Sequence, residues 1–134
     1  MNHSSHNQGI GKLGEDIAQK YLENKGFVVL DRNYLKKYGE IDIVAKKAGI
    51  IHFIEVKSVS CENLDQDVSC VTDNYRPEDN VHPQKLKRLG RTIQAYLLEK
   101  FPKGDPEWIF DVVTVRINSK NLKAQVKFLE NLVL

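Results

Sequence analysis

Acidic side chains interrupt two neighbouring stretches that otherwise have the alternating pattern of β-strands. Asp42 lies in the first stretch, and Glu55 precedes Lys57 by two residues in the second. Carboxylate oxygens are the ligands that Mg²⁺ and Mn²⁺ prefer, whereas the histidines and cysteines lack the spacing of a zinc site. An ion held by Asp42, Glu55 and the backbone carbonyl of Val56 would activate water and polarise a phosphodiester. Lys57 would orient or deprotonate that water, or neutralise the phosphate.

The turn between the two stretches determines which of these side chains face each other. If residues 48–49 form a two-residue hairpin loop, the pairs counted outward are Lys47–Ile50, Val44–Phe53, Asp42–Glu55 and Glu40–Lys57. Directly opposed residues share a face, so the two carboxylates become neighbours on one side of the sheet. Like charges in such a pair cost the sheet roughly 0.2–1 kcal/mol, and a cation between them removes that cost. The count therefore predicts a metal centre on this hairpin.

Helical and extended patterns predict the elements that position the hairpin. Apolar residues recur at helical spacing in two segments and at strand spacing in five. The predicted helices are 9–25, ended by Gly26, and a second that begins at Pro83, and the predicted strands are 27–34, 41–45, 50–56, 108–117 and 124–129. This alternation, in a chain of 134 residues, predicts a single α/β domain.

Two segments show neither pattern. Residues 1–8 are predicted to be a flexible tail, so the domain itself covers residues 9–134. Residues 59–81 form a long acidic segment, predicted to be a mobile loop, for which disorder and a functional lid are both open. Its negative charge would repel phosphates beside the site, which weighs against strong binding of nucleic acid there.

Composition sets the class of protein. A chain that is 41% hydrophobic and 28% charged is globular, and its net charge of +2 excludes a strongly basic nucleic-acid-binding chain. No apolar run approaches the roughly 20 residues of a membrane span, and the first residues have no leader pattern. We therefore expect a cytoplasmic protein without a membrane partner. Cys61 and Cys70 lack CxxC spacing and are predicted to be reduced thiols.

Positive charge is nevertheless concentrated on the second helix. Six cations there oppose the single acid Glu99, and this face either contacts phosphates or is simply solvated. The candidate nucleic-acid contacts are Arg32, Lys85, Lys87, Arg88 and Arg91.

Glu15 lies at the edge of the apolar stripe of the first helix, where it either leans toward the metal centre or is a solvated first-turn glutamate.

The acidic motif has a counterpart among known nucleases. Asp42 followed by Glu55-Val56-Lys57 resembles the PD-(D/E)xK motif. GEIDIVA followed by HFIEVK, with GKLGE before them and FDVV after, is similar to the YraN family of small bacterial proteins related to archaeal Holliday junction resolvases. The resemblance covers most of the chain and implies a restriction-endonuclease-like αβββαβ core, a central mixed sheet flanked by helices. It implies the catalytic set Glu15, Asp42, Glu55 and Lys57, and leaves monomer and homodimer open.

Three functions follow from these features. The leading hypothesis is a Mg²⁺- or Mn²⁺-dependent endonuclease that hydrolyses phosphodiester bonds in structured or branched DNA. The alternative is a non-cleaving nucleic-acid-binding or assembly module, because family members usually have a basic residue soon after the motif, where this chain has Ser58-Val59-Ser60. The third is a partner-binding protein with no role on nucleic acid.

Overall fold

Two helices and five strands make up the described part of the chain. The structure is a computed structural model that describes residues 3–61, 83–118, 120–121 and 123–130. In chain order the elements are α1 (His3–Asn24), β1 (Val28–Lys36), β2 (Gly39–Lys47), β3 (Ile50–Ser60), α2 (Pro83–Lys100), β4 (Trp108–Asn118) and β5 (Lys123–Leu129). The predicted α/β class and the αβββαβ order, followed by a last strand, are confirmed. Neither described helix is long and apolar enough to cross a membrane.

The strands form one mixed sheet with a helix on each face. Their order is β1-β2-β3-β4-β5, and neighbours are antiparallel except β3 and β4, which are parallel and are separated in the chain by α2. α1 packs on a buried cluster that includes Ile54 and Val113, and α2 packs on a cluster that includes Phe53 and Phe110. Alternate residues of the central strands therefore face different helices. This arrangement agrees with the restriction-endonuclease-like core that the resemblance implies.

The hairpin of β2 and β3 has the predicted register close to its turn. Ala48 and Gly49 have φ angles of 51° and 80°, as in a type I′ turn. The pairs in this ladder are Lys47–Ile50, Lys46–Ile51, Ala45–His52, Val44–Phe53 and Ile43–Ile54. The first half of the count is therefore confirmed. The ladder ends before the predicted pairs Asp42–Glu55 and Glu40–Lys57.

The predicted register ends at a point of β2 that lies opposite Asn33 on the neighbouring strand, between the pairs Arg32–Ile43 and Tyr34–Ile41. Asn33 has a left-handed φ of 52°, which asparagine tolerates better than most residues. Opposite this point β2 changes the side to which its residues face. Ile43 packs in the α1 cluster and Ile41 in the α2 cluster, although residues two apart share a face in a regular strand. Asp42 lies between them, where β2 separates from β3.

The largest differences from the predicted element boundaries are at the start of α1 and the end of β3. α1 begins at His3, so residues 3–8, predicted to be a flexible tail, continue the helix. Adding a turn to an existing helix costs far less than nucleating one, and this segment contains no proline. β3 extends to Ser60 because it pairs with β4 as far as Ile117. The remainder of the predicted acidic loop, residues 62–81, lies outside the described residues.

The prediction of a reduced thiol is wrong for Cys61. This cysteine follows β3, is 4% exposed and is disulfide-bonded, and no cysteine of the described part is free. That prediction used the general observation that cysteines of cytoplasmic proteins are mostly reduced, whereas a particular disulfide depends on which sulfur atoms the fold brings within reach. Cys70 lies outside the described residues.

Two glycines allow the helices to approach the end of the sheet where the acidic residues lie. A Cβ atom at Gly14 of α1 would overlap Oγ of Ser58 on β3. A Cβ atom at Gly39 of β2 would lie 2.6 Å from Oγ1 of Thr92 on α2, closer than side chains approach. These contacts fix the position of each helix relative to the sheet, and through it the position of the charged side chains described below.

Candidate metal centre

Three carboxylates from α1 and β2 lie together at this end of the sheet. Oxygen atoms of Glu15, Glu40 and Asp42 are all within 4.8 Å of one another, and we call these residues the carboxylate cluster. Asp42 also accepts a hydrogen bond of 2.8 Å from the backbone N–H of Val56. That bond connects β2 to β3 beyond the last ladder pair and holds one carboxylate oxygen in place.

The pKa of Asp42 records how unfavourable its surroundings are for a negative charge. This pKa is raised to about 7, mainly by burial, and the hydrogen bond from Val56 opposes the rise only in part. The charge of Glu15, a hydrogen bond with Glu40 and the charge of Glu55 contribute the rest of the rise. A bound proton or a cation would relieve the repulsion among these acids.

Two residues of β1 orient Glu15 within the cluster. Its Oε1 atom accepts hydrogen bonds from Arg32 Nη2 at 3.1 Å and from Asn33 Nδ2 at 3.0 Å. Arg32 Nη1 donates to Asp16 at 2.8 Å and to Gln19 at 3.1 Å, both on α1. The hydrogen bond from Arg32 holds the pKa of Asp16 below its usual value. Arg32, predicted to contact nucleic acid, is therefore engaged by α1 and positions Glu15.

Glu55 lies in a second group, with two lysines. Its Oε1 atom is 2.9 Å from Lys57 Nζ and 2.7 Å from Lys85 Nζ, and we call these three residues the lysine group. Lys85 comes from α2 and was predicted to be a nucleic-acid contact, whereas the structure places it beside the motif residues. Glu55, predicted to be a metal ligand with Asp42, is thus bonded to two cations, although its charge still acts on Asp42.

The two lysines differ in how readily they lose a proton. Burial lowers the pKa of Lys57, and its contact with Lys85 lowers it further, against the opposing effect of Glu55. Burial also disfavours the charge of Lys85, but the hydrogen bond to Glu55, the contact with Lys57 and the charges of Glu55 and Asp42 together outweigh it, so the pKa of Lys85 is raised. Of the pair, Lys57 is the better proton acceptor and Lys85 the more persistent cation.

A cleft of about 300 Å³ adjoins both groups. Its lining residues come from the β1–β2 turn, from both hairpin strands and from α2, and we call it the α2 cleft: Tyr38, Gly39, Glu40, Glu55, Lys85, Arg88 and Leu89. Glu40 belongs to the carboxylate cluster and Glu55 to the lysine group, so the cleft is continuous with both. Lys87 and Arg91, the other predicted contacts, are exposed residues of α2 that are not among its lining residues.

Sequence reasoning missed the positions of Glu40 and Lys85. A signal for Glu40 exists, because it stands two residues before Asp42 on one strand and alternate residues share a face. Its predicted partner was instead Lys57. For Lys85 the sequence holds no comparable signal, since its position depends on how far α2 lies along the sheet.

Comparison with known proteins agrees with the resemblance found in the sequence. The model of the uncharacterised protein family UPF0102 matches residues 14–115. A UPF0102 protein of Wolinella succinogenes is 34% identical over 124 residues, which cover 92% of this chain and 95% of that protein. A UPF0102 protein of Campylobacter lari is 37% identical over 123 residues, which cover 92% of each chain. A UPF0102 protein of Clostridium botulinum is 33% identical over 128 residues, which cover 93% of this chain and 94% of that protein. The chain therefore belongs to the UPF0102, or YraN, family.

Proposed function

We propose that this protein is a metal-dependent endonuclease that hydrolyses phosphodiester bonds in structured or branched DNA, and that it acts in the cytoplasm. The carboxylate cluster carries the proposal. Three acids lie within 4.8 Å of one another, and the pKa of one of them is raised to about 7. Packing acids in this way opposes folding unless a cation shares their charge.

The donor atoms of the cluster fit Mg²⁺ or Mn²⁺. Carboxylate oxygens are hard ligands, and one or two of them commonly hold Mg²⁺ together with substrate phosphate. Glu15, Glu40 and Asp42 would hold the ion, with Arg32 and Asn33 orienting the first of them. The ion would supply a water of lowered pKa and polarise the phosphodiester. Glu55 and the carbonyl of Val56, the other ligands predicted from the sequence, stay predictions.

The lysine group supplies proton transfer and charge stabilisation. The lowered pKa of Lys57 suits it to orient the attacking water and accept its proton. Lys85 keeps its positive charge, which would stabilise the negative charge that develops on the phosphate. Glu55 holds the Nζ atoms of both lysines on one oxygen atom, so that the two roles act at adjacent positions.

α2 would provide most of the attraction for the polyanion. Lys85 and Arg88 line the cleft beside the proposed centre, where they can contact phosphates directly. Lys87 and Arg91 are exposed on the same helix and add to its positive potential. This distribution supports binding of DNA along α2 despite a net charge of only +2 for the chain.

Cleavage assays with matched variants test the proposal. Branched and linear DNA would be incubated with wild type, Asp42→Asn and Glu55→Gln in Mg²⁺ and in Mn²⁺, with circular dichroism confirming that each variant is folded. Each variant should lose at least about 100-fold in rate, more than the loss expected for a residue that only supports a metal ligand. Asp105→Asn, at an exposed position after α2, is the control and should cleave normally. Equal cleavage by all variants would refute the proposal and indicate a contaminating nuclease.

The second candidate is a nucleic-acid-binding or assembly module that does not cleave. One observation favours it: Glu55 is bonded to two lysines and is not a member of the carboxylate cluster. DNA binding that weakens steeply with salt, without cleavage in Mg²⁺, Mn²⁺ or any other divalent ion, would select this function.

A further inference from the structure

The α2 cleft combines an aromatic wall with a cationic wall. Tyr38, half-buried, lies in the turn between β1 and β2, and Lys85 and Arg88 lie on α2. The volume of about 300 Å³ is at the lower end of small-molecule sites, which span about 300–1,000 Å³. A cleft of this size takes one nucleotide rather than a segment of double helix.

The two walls are held at a fixed separation by the contact at Gly39. A Cβ atom there would lie 2.6 Å from Oγ1 of Thr92 and 3.5 Å from the carbonyl oxygen of Arg88. The residue next to Tyr38 therefore packs directly against the backbone of α2 at the position of Arg88. This contact holds the turn that carries Tyr38 against the helix that carries Arg88, and both residues line the α2 cleft.

The lining of the cleft contains both cations and acids. Lys85 and Arg88 are cations, while Glu40 and Glu55 connect the cleft to the carboxylate cluster and the lysine group. A phosphate bound by the two cations would lie beside the proposed metal centre. Proteins that bind single strands use this combination, in which cations follow the backbone and aromatic rings stack on bases.

We propose that the α2 cleft binds one unpaired nucleotide, with its base stacked on Tyr38 and its phosphate on Lys85 and Arg88. This inference rests on the proposed function and deepens it, because it names the substrate class as nucleic acid with a single-stranded segment at the cleavage point. A base inside a duplex is covered by its stacked neighbours, whereas an unpaired base has a free face for the tyrosine ring.

Binding measured without metal tests this inference separately from cleavage. Fluorescence anisotropy of the full chain in EDTA would compare a short labelled single strand with the blunt duplex of the same sequence. Wild type should bind the single strand more tightly. Tyr38→Ala should weaken that binding roughly 5- to 150-fold, the equivalent of one base–aromatic stack, and Tyr38→Phe should preserve it.

Three further variants separate stacking on Tyr38 from phosphate contacts and from general effects of mutation. Leu35→Ala changes a residue of β1 that is 69% exposed and is not a lining residue of the cleft, and it should bind like wild type. Arg88→Ala should reduce the slope of log affinity against log salt by about 0.7, the loss of one phosphate contact on a single strand. Lys87→Ala, at an exposed position of α2 that is not among the lining residues of the cleft, should change this slope less.

The outcomes distinguish failure of the inference from failure of the proposed function. Equal affinity for single strand and duplex, or a folded Tyr38→Ala variant that binds like wild type, would overturn the inference even if the protein cleaves DNA. Strand binding that depends on Tyr38 would support it, and would do so even if no divalent ion produced cleavage, in which case the endonuclease proposal alone would fail.

Discussion

Two aspartates of the sheet, on strands that β3 separates, have opposite surroundings. Asp111 on β4 is 0% exposed, and its Oδ2 atom is 2.6 Å from Nδ1 of His52 on β3. Phe27 packs edge-on against the histidine ring, with 4.8 Å between the ring centroids. Buried and bonded to histidine, Asp111 is typical of a residue that stabilises the fold.

Asp42 on β2 is surrounded instead by acids. Glu15 and Glu40 are its neighbours in the carboxylate cluster, and the backbone N–H of Val56 donates a hydrogen bond to it. Like charges in a half-buried place raise the free energy of the folded state, so folding alone does not favour this arrangement. The difference between the two aspartates separates a buried acid that stabilises the fold from one whose position the stability of the fold does not explain.

Replacing Asp111 should have the largest effect on stability. Asp111→Ala leaves His52 buried without its carboxylate, and breaking such a pair costs about 3–5 kcal/mol in the free energy of unfolding. Urea denaturation at neutral pH measures this loss. Asp105→Ala, at an exposed position, should stay within about 0.5 kcal/mol of wild type. A loss below about 1 kcal/mol for Asp111→Ala would show that the histidine pair is not structural.

Replacing Asp42 should have the opposite sign when no metal is present. Its pKa rises from 3.8 to about 7 on folding, so between these values the folded state binds the extra proton and stability falls as the pH increases. Each pKa unit corresponds to about 1.4 kcal/mol, so Asp42→Asn should stabilise the protein by on the order of 2–4 kcal/mol at about pH 8.

The pH dependence provides the internal control for that variant. At about pH 4 the carboxyl of wild type is protonated in the folded state, and the two proteins should unfold at nearly the same urea concentration. The stabilisation should then grow with pH and level off above about pH 7. A variant that is less stable than wild type at high pH would contradict the view that Asp42 lies in an unfavourable place.

Features set by short-range chemistry were predictable from the sequence. Gly26 ends α1 with φ of 95°, and the N–H of Phe27 bonds the carbonyl of Leu22, as in a Schellman motif. The turn at residues 48–49 fixed the first pairs of the hairpin. Each of these depends on a few adjacent residues, whose side-chain and backbone preferences are visible in the sequence.

Features that depend on distant elements were not predictable. His52 meets Asp111, and Glu55 meets Lys85, only because of the placement of β4 and α2, which follow a long segment of the chain. No local pattern gives the register of parallel strands joined by a helix. The predicted pairing of Asp42 failed for a related reason, since it extended a regular ladder past the irregular backbone of Asn33 on another strand.

Mn²⁺ should stabilise the protein through the cluster that contains Asp42. At about pH 8 and a free concentration about 100 times the dissociation constant, binding adds about 2.7 kcal/mol to the free energy of unfolding. Asp42→Asn should abolish this gain, and Glu40→Gln should weaken Mn²⁺ binding at least about 10-fold, as seen by titration calorimetry. Glu55→Gln should change it less, because Glu55 is bonded to lysines. If Glu55→Gln weakens Mn²⁺ binding more than Glu40→Gln does, the result would favour the ligands predicted from the sequence, Asp42 with Glu55.

The smallest effect concerns the helix that brings Glu15 to Asp42. Gly14→Ala would force the new Cβ atom against Ser58, and overpacking of this kind costs about 1–3 kcal/mol. Because α1 must shift near Glu15, Mn²⁺ binding should weaken as well, while the His52–Asp111 pair on β3 and β4 stays intact. Thermal unfolding and Mn²⁺ titration of the same variant measure the two effects.

A second substitution shows whether that contact is the cause. Ser58→Gly removes both side-chain atoms that the new Cβ would meet, so the double variant should recover the Mn²⁺ affinity lost in Gly14→Ala. Gly11→Ala is the matched control, because a Cβ atom there meets nothing within 4 Å and alanine favours the helix by roughly 0.5–1 kcal/mol. If Gly14→Ala and Gly11→Ala stabilise the protein equally, the close approach of α1 to β3 does not position Glu15, and the cluster around Asp42 must be held by β1 alone.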